Sequence, residues 1–238
     1  MSVSVSRIAV LTPSRERPQQ CYDMIESIAA TALQPVDVYV GVDHDDPYLD
    51  HYVNLESHFE FSQNIRVAVL AGDRMQLGPW ANKLAQIALT FPGVDFLASF
   101  GDDHRCRTPE WDRIAATHVE EHGIGLVYGR DGLQDENLPT APIWSAEIIR
   151  ALGWYFFPGC KHLYADNMWK VVADAVGRRF YLPEIEVEHL HPSTGKSEAD
   201  DVNRENDSYY GVDGACYTSY IQSREFSDDL NRVMEVIG

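Results

Sequence analysis

Short apolar runs that end at polar clusters, with helical patterns between them, are the feature that most constrains the fold of this chain. In the first hundred residues these runs predict strands over 8–11, 36–42, 65–70 and 96–100. Pro18 and Pro79 are each followed by apolar residues at helical spacing, which predicts helices there. Apolar strands alternating with helices indicate an α/β fold, with a Rossmann-like, mainly parallel central sheet flanked by helices.

Polar residues follow three of the predicted strands directly, at 12–17, 43–46 and 102–104. In a sheet of parallel strands, ligands bind beyond the carboxyl ends of the strands. We therefore expect these three polar segments to meet at one edge of the sheet and to form the functional site.

The second half of the chain is less regular. Its patterns predict helices over 145–152 and 166–176 and a strand over 185–191. Residues 108–110 are interpreted as the N-cap and first turn of a further helix. The polar stretch 192–210 is interpreted as a long functional loop, with one or two helices after it.

The charge balance limits the partners of the protein. The 238 residues include 19 basic and 37 acidic side chains, which gives a formal net charge of −18 at pH 7. Broad nucleic-acid binding depends on basic surface, so this balance counts against it. The composition, 45% hydrophobic and 24% charged, excludes wholesale disorder.

A cytoplasmic protein without a membrane partner is expected. No apolar run is long enough to cross a bilayer, and residues 1–6 lack the pattern of a signal peptide. The four cysteines are far apart and form no C-x-x-C pair, which disfavours a zinc cluster and thioredoxin-like chemistry.

The acidic turn after the fourth predicted strand is the first candidate for chemistry. Asp102 and Asp103 are adjacent, and two neighbouring carboxylates are costly to hold together unless water or a cation offsets their charge. Oxygen ligands suit Mg²⁺ or Mn²⁺, which often join protein carboxylates to substrate phosphates. The alternative is an acidic turn with a capping aspartate.

Three further segments have both a functional and a structural interpretation. His189 and His191 share one face of a predicted strand, either as metal ligands or as one buried and one surface histidine. Asp166 is either a helix N-cap or a general base. Residues 78–82 begin a helix whose free amides suit a phosphate, but they form neither a Walker loop nor a G-x-G-x-x-G fingerprint.

Taken in order, these segments resemble the inverting family-two glycosyltransferases and their relatives of GT-A fold, over roughly residues 7–195. IAVLTPSRERP at 8–18 resembles the first strand of that family and its nucleotide-contacting loop. VGVDHDD at 40–46 resembles the second strand, whose terminal aspartate reads the nucleobase. GPWAN at 78–82 resembles the G-x-x-x-N start of a helix.

The later motifs of the family also have counterparts. FGDDH at 100–104 occupies the place of the D-x-D metal motif and is followed by Pro-Glu-Trp at 109–111. ADNMW at 165–169 resembles the acidic motif that supplies the base, and HLH at 189–191 resembles the late histidine of the metal shell. A strict D-x-D would require an aspartate where the chain has Gly101, and the acidic motif lacks the common Glu-Asp pair.

The resemblance implies transfer of a sugar from a nucleotide-sugar donor, expected to be a UDP-sugar, to an acceptor hydroxyl with inversion. It implies that Asp103 binds Mn²⁺ or Mg²⁺ with His189 or His191, and that Asp166 is the catalytic base. Asp102 would contact ribose or assist the metal. The donor-binding residues it implies are Thr12, Ser14, Arg15, Asp43, Gly78, Asn82, Asp102 and Lys196.

The resemblance also suggests one GT-A domain over 1–238, of the compact kind common in bacteriophages. Its parts would be a nucleotide-binding half at 7–104, an acceptor and metal-completing half at 105–210, and a helical tail at 211–238. The acceptor stays open among a protein, a glycan and a modified nucleobase, and the oligomeric state stays unknown.

The sequence is also compatible with two other functions. A nucleotidyltransferase that forms sugar nucleotides also pairs an α/β sheet with carboxylate-held Mg²⁺, but it usually needs a glycine-rich loop, and 12–18 has no glycine. A non-catalytic module would bind the nucleotide-sugar without turnover. Trp144, Trp154 and Tyr155 are either rings that stack on an acceptor sugar or core residues.

Overall fold

One sheet of eight strands is the framework of the computed structural model, which describes residues 6–192, 195–196, 204–205 and 208–238. The strands are β1 (Ile8–Pro13), β2 (Val36–Asp43), β3 (Ile65–Gly72), β4 (Phe96–Ser99), β5 (His104–Cys106), β6 (Leu126–Arg130), β7 (Ile143–Ser145) and β8 (Arg179–His189). The α-helices are α1 (Pro18–Thr31), α2 (Leu49–His58), α3 (Leu77–Thr90), α4 (Trp111–His122), α5 (Ala146–Leu152), α6 (Ala165–Ala175), α7 (Tyr210–Ile221) and α8 (Arg224–Ile237).

The strand order is β3-β2-β1-β4-β7-β6-β8-β5. β1 to β4 are mutually parallel, and β6 is parallel to β8. β7 runs antiparallel between β4 and β6, and β5 pairs antiparallel with β8 at the edge. The predicted α/β fold with a mainly parallel sheet is therefore confirmed. The carboxyl ends of β1, β2, β4, β6 and β8 lie on the same side of the sheet.

Alternation along β1 explains why helices cover both faces of the sheet. Ile8 and Val10 pack into one apolar core, whereas Ala9 and Leu11 pack into the other. All four side chains are almost completely buried. A strand that is covered on both faces needs apolar residues at every position, which accounts for the continuous apolar runs in the sequence.

The start of α4 differs from its prediction. The helix begins at Trp111, and Glu110 before it has a left-handed backbone with φ of 59°. Thr108, expected as the N-cap, instead joins the neighbouring strand β8: its hydroxyl donates to the Glu184 carbonyl at 3.0 Å and accepts from the Glu186 N–H at 2.9 Å. The N-cap interpretation of Thr108 is therefore wrong, because cross-strand bonds take up its side chain.

The second half contains elements without a clear sequence pattern. β8 starts earlier than predicted and ends at His189, so that His191 lies beyond it. β5 and β7 have only three residues each, too few for an apolar period to show. Two helices, α7 and α8, follow the polar stretch as expected. Within the described ranges, no helix is long and apolar enough to cross a membrane.

The aromatic residues considered as an acceptor platform belong to the core. Trp144 and Tyr155 are fully buried, and Trp154 is 9% exposed. The indole N–H of Trp154 donates to the buried carboxylate of Asp229 at 3.1 Å. These three rings contribute buried area and do not face a ligand, so their interpretation as a sugar platform is wrong.

Candidate active site

A cavity of about 460 Å³ opens at the carboxyl ends of β1, β2 and β4, in the size range of small-ligand pockets. Hydrogen bonds join the polar segments that follow these strands, which confirms that they meet at one edge. The predicted site residues in the cavity wall are Ser14, Arg15, Asp43, Asp102, Asp103, Asp166, His189 and His191.

Asp102 joins the loop after β1 to the loop after β4. The Ser14 hydroxyl donates to Asp102 Oδ2 at 2.7 Å, and Arg17 Nη1 lies 3.3 Å from Oδ1. The hydroxyl of buried Tyr52 lies 2.8 Å from the Ser14 hydroxyl and accepts the Arg17 backbone N–H at 2.8 Å. Burial, together with the charge of Asp103, raises the pKa of Asp102 to about 6. Arg17 and Tyr52 belong to the site although sequence analysis did not single them out.

Asp103 lies next to two histidines. His189 Nε2 lies 3.3 Å from Asp103 Oδ2, and His104 Nδ1 lies 3.4 Å from Oδ1. The two imidazoles stack, with ring centroids 4.3 Å apart. Although burial opposes it, the neighbouring carboxylates of Asp103 and Asp131 raise the pKa of His189 to about 9. We call Asp103, His104 and His189 the carboxylate–histidine cluster.

His104 is the neutral member of this cluster. Burial and the charge of His189 lower the pKa of His104 to about 4. Its Nδ1 accepts the backbone N–H of Gly101 at 2.8 Å, which leaves Nε2 as the protonated nitrogen in this arrangement. Nε2 is buried without a hydrogen-bond partner among the described residues.

Asp131 is a site residue that sequence analysis missed. It is 2% exposed, and its Oδ1 accepts the backbone N–H groups of the turn at 133–135 at 2.7 to 2.9 Å. Its Oδ2 accepts from the Thr140 hydroxyl at 2.6 Å and lies 3.8 Å from His189 Nδ1. Because Asp131 directly follows β6, the rule that polar residues after parallel strands form the site would have found it, had β6 been predicted.

Asp43 lies at the end of β2, as the resemblance implies, and both of its carboxylate oxygens have partners. Oδ1 accepts the indole N–H of Trp80 at 2.8 Å and the backbone N–H of Met75 at 3.0 Å. Oδ2 accepts from Arg15 at 3.0 Å. The carboxylate is 4% exposed, but it reaches the cavity wall beside Arg15.

Asp166 lies in the first turn of α6 and not at its cap. The N-cap position belongs to Tyr164, whose backbone is left-handed with φ of 65°. Asp166 Oδ1 accepts only the N–H of the next residue, Asn167, at 2.9 Å among the described contacts. Burial raises the pKa of Asp166. The simple N-cap interpretation is therefore wrong, and the carboxylate faces the cavity.

Thr12 and Lys196, two residues that the resemblance assigns to the donor, lie outside the cavity wall. The hydroxyl of Thr12 is buried and donates to the Phe100 carbonyl at 3.0 Å, which ties β1 to the end of β4. Lys196 pairs with Glu188 at 2.7 Å.

Gly78 and Asn82 also lie behind the wall, where they hold the loop that leads to α6. The Gly78 N–H donates to the Lys161 carbonyl at 2.8 Å, and a Cβ on Gly78 would lie 2.7 Å from the Phe156 ring. The Asn82 amide accepts the N–H groups of 155 and 156 and donates to the Phe156 carbonyl at 2.7 Å. The G-x-x-x-N segment thus acts as a clamp between α3 and this loop.

His191 lines the cavity, and its ring centroid lies 5.2 Å from that of His189. It is not a member of the carboxylate–histidine cluster. Much of the predicted functional loop 192–210, at 193–194, 197–203 and 206–207, lies outside the described residues.

No family model matches the chain, and no curated protein matches it in sequence. Solved structures do match it. Mannosyltransferase PcManGT from Pyrobaculum calidifontis, in complex with GDP-Man and Mn²⁺, superposes with a TM-score of 0.69 at 12% identity, over 98% of this chain and 70% of that one.

A second match is S. aureus TarS 1-349 in complex with UDP-GlcNAc, with a TM-score of 0.62 at 13% identity, over 97% of this chain and 71% of that one. A longer structure of S. aureus TarS matches with a TM-score of 0.63 at 14% identity, over 95% of this chain and 43% of that one. The fold of the chain is therefore the GT-A glycosyltransferase fold, as its motifs implied.

Proposed function

We propose that the protein is a metal-dependent, inverting glycosyltransferase that moves a sugar from a UDP-sugar to an acceptor hydroxyl. The observation that carries the proposal is one cavity wall that contains both the carboxylate–histidine cluster and Asp166. The GT-A fold supports it, because structures with this fold include a UDP-GlcNAc complex and a GDP-Man complex with Mn²⁺.

The carboxylate–histidine cluster fits a divalent cation. Its ligating atoms lie within 4.8 Å of one another. His189 Nε2 lies 3.3 Å from Asp103 Oδ2, so an imidazole nitrogen and a carboxylate oxygen, both good ligands for a divalent cation, face each other there. A carboxylate with imidazoles suits Mn²⁺ better than Mg²⁺, which prefers oxygen ligands and retains water. Asp103 and His189 would hold the ion, with His191 as the alternative late histidine and Asp131 orienting His189.

A bound ion would offset negative charge on the diphosphate as the bond to the sugar breaks. The chain supplies further positive charge through Arg15 and Arg17, which lie in the same wall. Asp102 and Ser14 fix Arg17 and the loop after β1, so these charges are in place before the donor binds. The oxygen Oδ2 of Asp43 has a lone pair left for a base N–H.

Asp166 is proposed as the base. The acceptor oxygen would form a bond to the anomeric carbon as the bond from that carbon to the phosphate oxygen breaks. The electron pair of the broken bond leaves with the nucleoside diphosphate, and the proton of the acceptor hydroxyl passes to Asp166. Burial, which raises the pKa of Asp166, strengthens it as a proton acceptor. The cytoplasmic location and the bacteriophage context stay predictions.

The test is release of UDP from UDP-glucose, UDP-galactose and UDP-GlcNAc with MnCl₂, with GDP-mannose as a parallel donor. We expect release with at least one UDP-sugar, and a loss of about a hundredfold or more in Asp103→Ala and Asp166→Ala. Asp50→Ala, an exposed aspartate on α2, is the matched control and should keep the wild-type rate.

Full turnover in both site variants would show that the assigned residues are wrong. Tight UDP binding without release from any donor would indicate a binding module instead of an enzyme. Release from GDP-mannose alone would keep the glycosyltransferase and correct the nucleobase.

A further inference from the structure

Aromatic rings line part of the cavity that Asp166 also lines. We call His162, Tyr164, Tyr209 and Tyr210 the aromatic wall; all four line the cavity. The His162 and Tyr209 rings are nearly parallel, 19° apart, and the Tyr164 and Tyr210 rings meet edge to face at 6.4 Å. Tyr210 is 57% exposed, which is unusual for so large a ring at the mouth of a cavity.

The wall is fixed from behind by α7. The Tyr164 ring stacks on Tyr217, with centroids 5.4 Å apart. A Cβ on Gly214 would lie 2.9 Å from the Tyr164 hydroxyl, so only glycine leaves room for this ring. The left-handed backbone of Tyr164 is costly for a residue with a side chain, and such strain concentrates at functional sites. Tyr209 is held as well, since its hydroxyl accepts from the Gln76 amide at 3.3 Å.

The spacing of the rings limits how a ligand can stack. A planar ring inserted between two others needs about 7 Å, twice a carbon–carbon contact of about 3.5 Å. The His162 and Tyr209 centroids are only 6.1 Å apart. A ligand must therefore lie on the outer face of the wall, where the apolar face of a sugar ring packs on an aromatic ring.

Both a sugar and a nucleobase could stack on the aromatic wall, and charge distinguishes between these two kinds of ligand. The chain has a net charge of −18, which repels a phosphate backbone. On the same rim, the charge of Arg74 is already compensated, because both Glu205 oxygens accept from its Nη2 at 2.8 and 3.0 Å. His162 adds no positive charge, since burial lowers its pKa to about 4. The wall therefore favours a neutral ligand.

We propose that the aromatic wall is the acceptor subsite and that the acceptor is a neutral glycan, one sugar ring of which stacks on Tyr209 and Tyr210 beside Asp166. The inference rests on the proposed function for the reaction, but the stacking itself is a binding property. A glycan acceptor means that the protein extends an existing saccharide.

The experiment is a saturation-transfer NMR titration of the full chain with UDP and MnCl₂ present. The probes are neutral gluco-, manno- and N-acetylglucosamine hexasaccharides and, separately, a single-stranded hexanucleotide. We expect at least one saccharide to bind, with about tenfold weaker binding in Tyr209→Leu and Tyr210→Leu and near wild-type binding in Tyr210→Phe, which keeps the ring. Phe61→Leu, at an exposed ring outside the cavity wall, is the matched control and should bind like the wild type.

Failure of every saccharide to bind, or equal binding in the leucine variants, would overturn the inference. Binding of the hexanucleotide alone would assign the wall to nucleobases. Release of UDP without any acceptor is measured in parallel, because it tests the proposed function separately. If saccharides bind and no donor releases UDP, the aromatic wall stands as a saccharide-binding site and the glycosyltransferase proposal fails.

Discussion

Buried carboxylates hold the loops of the candidate site from behind. Asp213 on α7 is fully buried and accepts the N–H groups of Lys161, His162 and Leu163 at 2.8 to 3.0 Å. This loop leads directly to Asp166. Hydrogen bonds to a charged acceptor are stronger than neutral ones, so one side chain fixes three consecutive residues, of which His162 and Leu163 line the cavity.

We expect Asp213→Asn to reduce activity more than its loss of stability explains. The amide oxygen keeps one acceptor atom, so the free energy of unfolding should fall by about 2 kcal/mol. The displaced loop should lower kcat at least about tenfold, because positioning errors near 1 Å are costly in catalysis. The rate of UDP release and the urea midpoint measure the two effects.

Asp112→Asn is the matched control for this prediction. Asp112 is equally buried and accepts the N–H groups of Leu33 and Gln34, at 2.5 to 3.1 Å, away from the cavity wall. It should lose similar stability and keep its kcat at a temperature where both variants are folded. Equal kcat losses in the two variants would show that Asp213 has only a structural role.

The stability of the wild-type chain should fall as the pH is lowered from about 6.5 to 4, partly through His162. Burial lowers the pKa of His162 to about 4 in the folded chain, against about 6.5 when it is unfolded. In this window the unfolded chain binds more protons, so acid favours unfolding. We expect the melting temperature of His162→Gln to fall less than that of the wild type between pH 7 and 4.5. Identical pH curves would contradict this.

At the scale of elements, an irregularity in the pairing of β6 with β8 lies beside the carboxylate–histidine cluster. The register shifts between Tyr128 and Arg130, and a Cβ on Gly129 would lie 2.2 Å from the Ile185 carbonyl oxygen. Just beyond this close approach of the two strands, Asp131 follows the end of β6 and His189 is the last residue of β8. Only glycine allows two backbones to approach so closely at this point.

We therefore expect Gly129→Ala to lower the free energy of unfolding by about 2 kcal/mol or more, because backbone must move to remove the clash. Gly211→Ala on α7 is the control, since its Cβ would meet nothing within 4 Å and alanine favours a helix. That variant should gain about 0.5 to 1 kcal/mol. Urea denaturation measures the free energy of unfolding of both variants. An unchanged midpoint in Gly129→Ala would contradict the close approach of β6 and β8 at Gly129.

The first half of the fold could be predicted from sequence because β1 and β2 are buried on both faces and therefore appear as continuous apolar runs. The register shift, the three-residue strands β5 and β7, and the role of Asp131 depend on partners far along the chain, which no local pattern encodes. The motifs indicated Asp102, Asp103, Asp166 and His189. They did not indicate that the Asn82 side chain would bond to the backbone of the loop before α6, because a motif identifies a residue type and not its contacts.

At the scale of the whole molecule, the net charge of −18 is unevenly placed. Several of its carboxylates lie together in and around the cavity, where only part of their charge is compensated by Arg15, Arg17 and Arg74. An acidic chain attracts any cation to its surface, so weak Mn²⁺ binding alone would say little. The informative quantity is the part of the Mn²⁺-induced rise in melting temperature that is lost when the Asp103 carboxylate is removed.

We expect MnCl₂ to raise the melting temperature of the protein without donor, because an ion that binds only the folded state stabilises it. At a hundred times the dissociation constant the gain is about 2.7 kcal/mol, or roughly 5 to 10 °C for a chain of this size. Asp103→Ala should lose the gain, whereas Asp50→Ala, with the same net charge, should keep it. NaCl of equal ionic strength controls for screening. Equal shifts in the two variants would place the ion on the acidic surface and not in the carboxylate–histidine cluster.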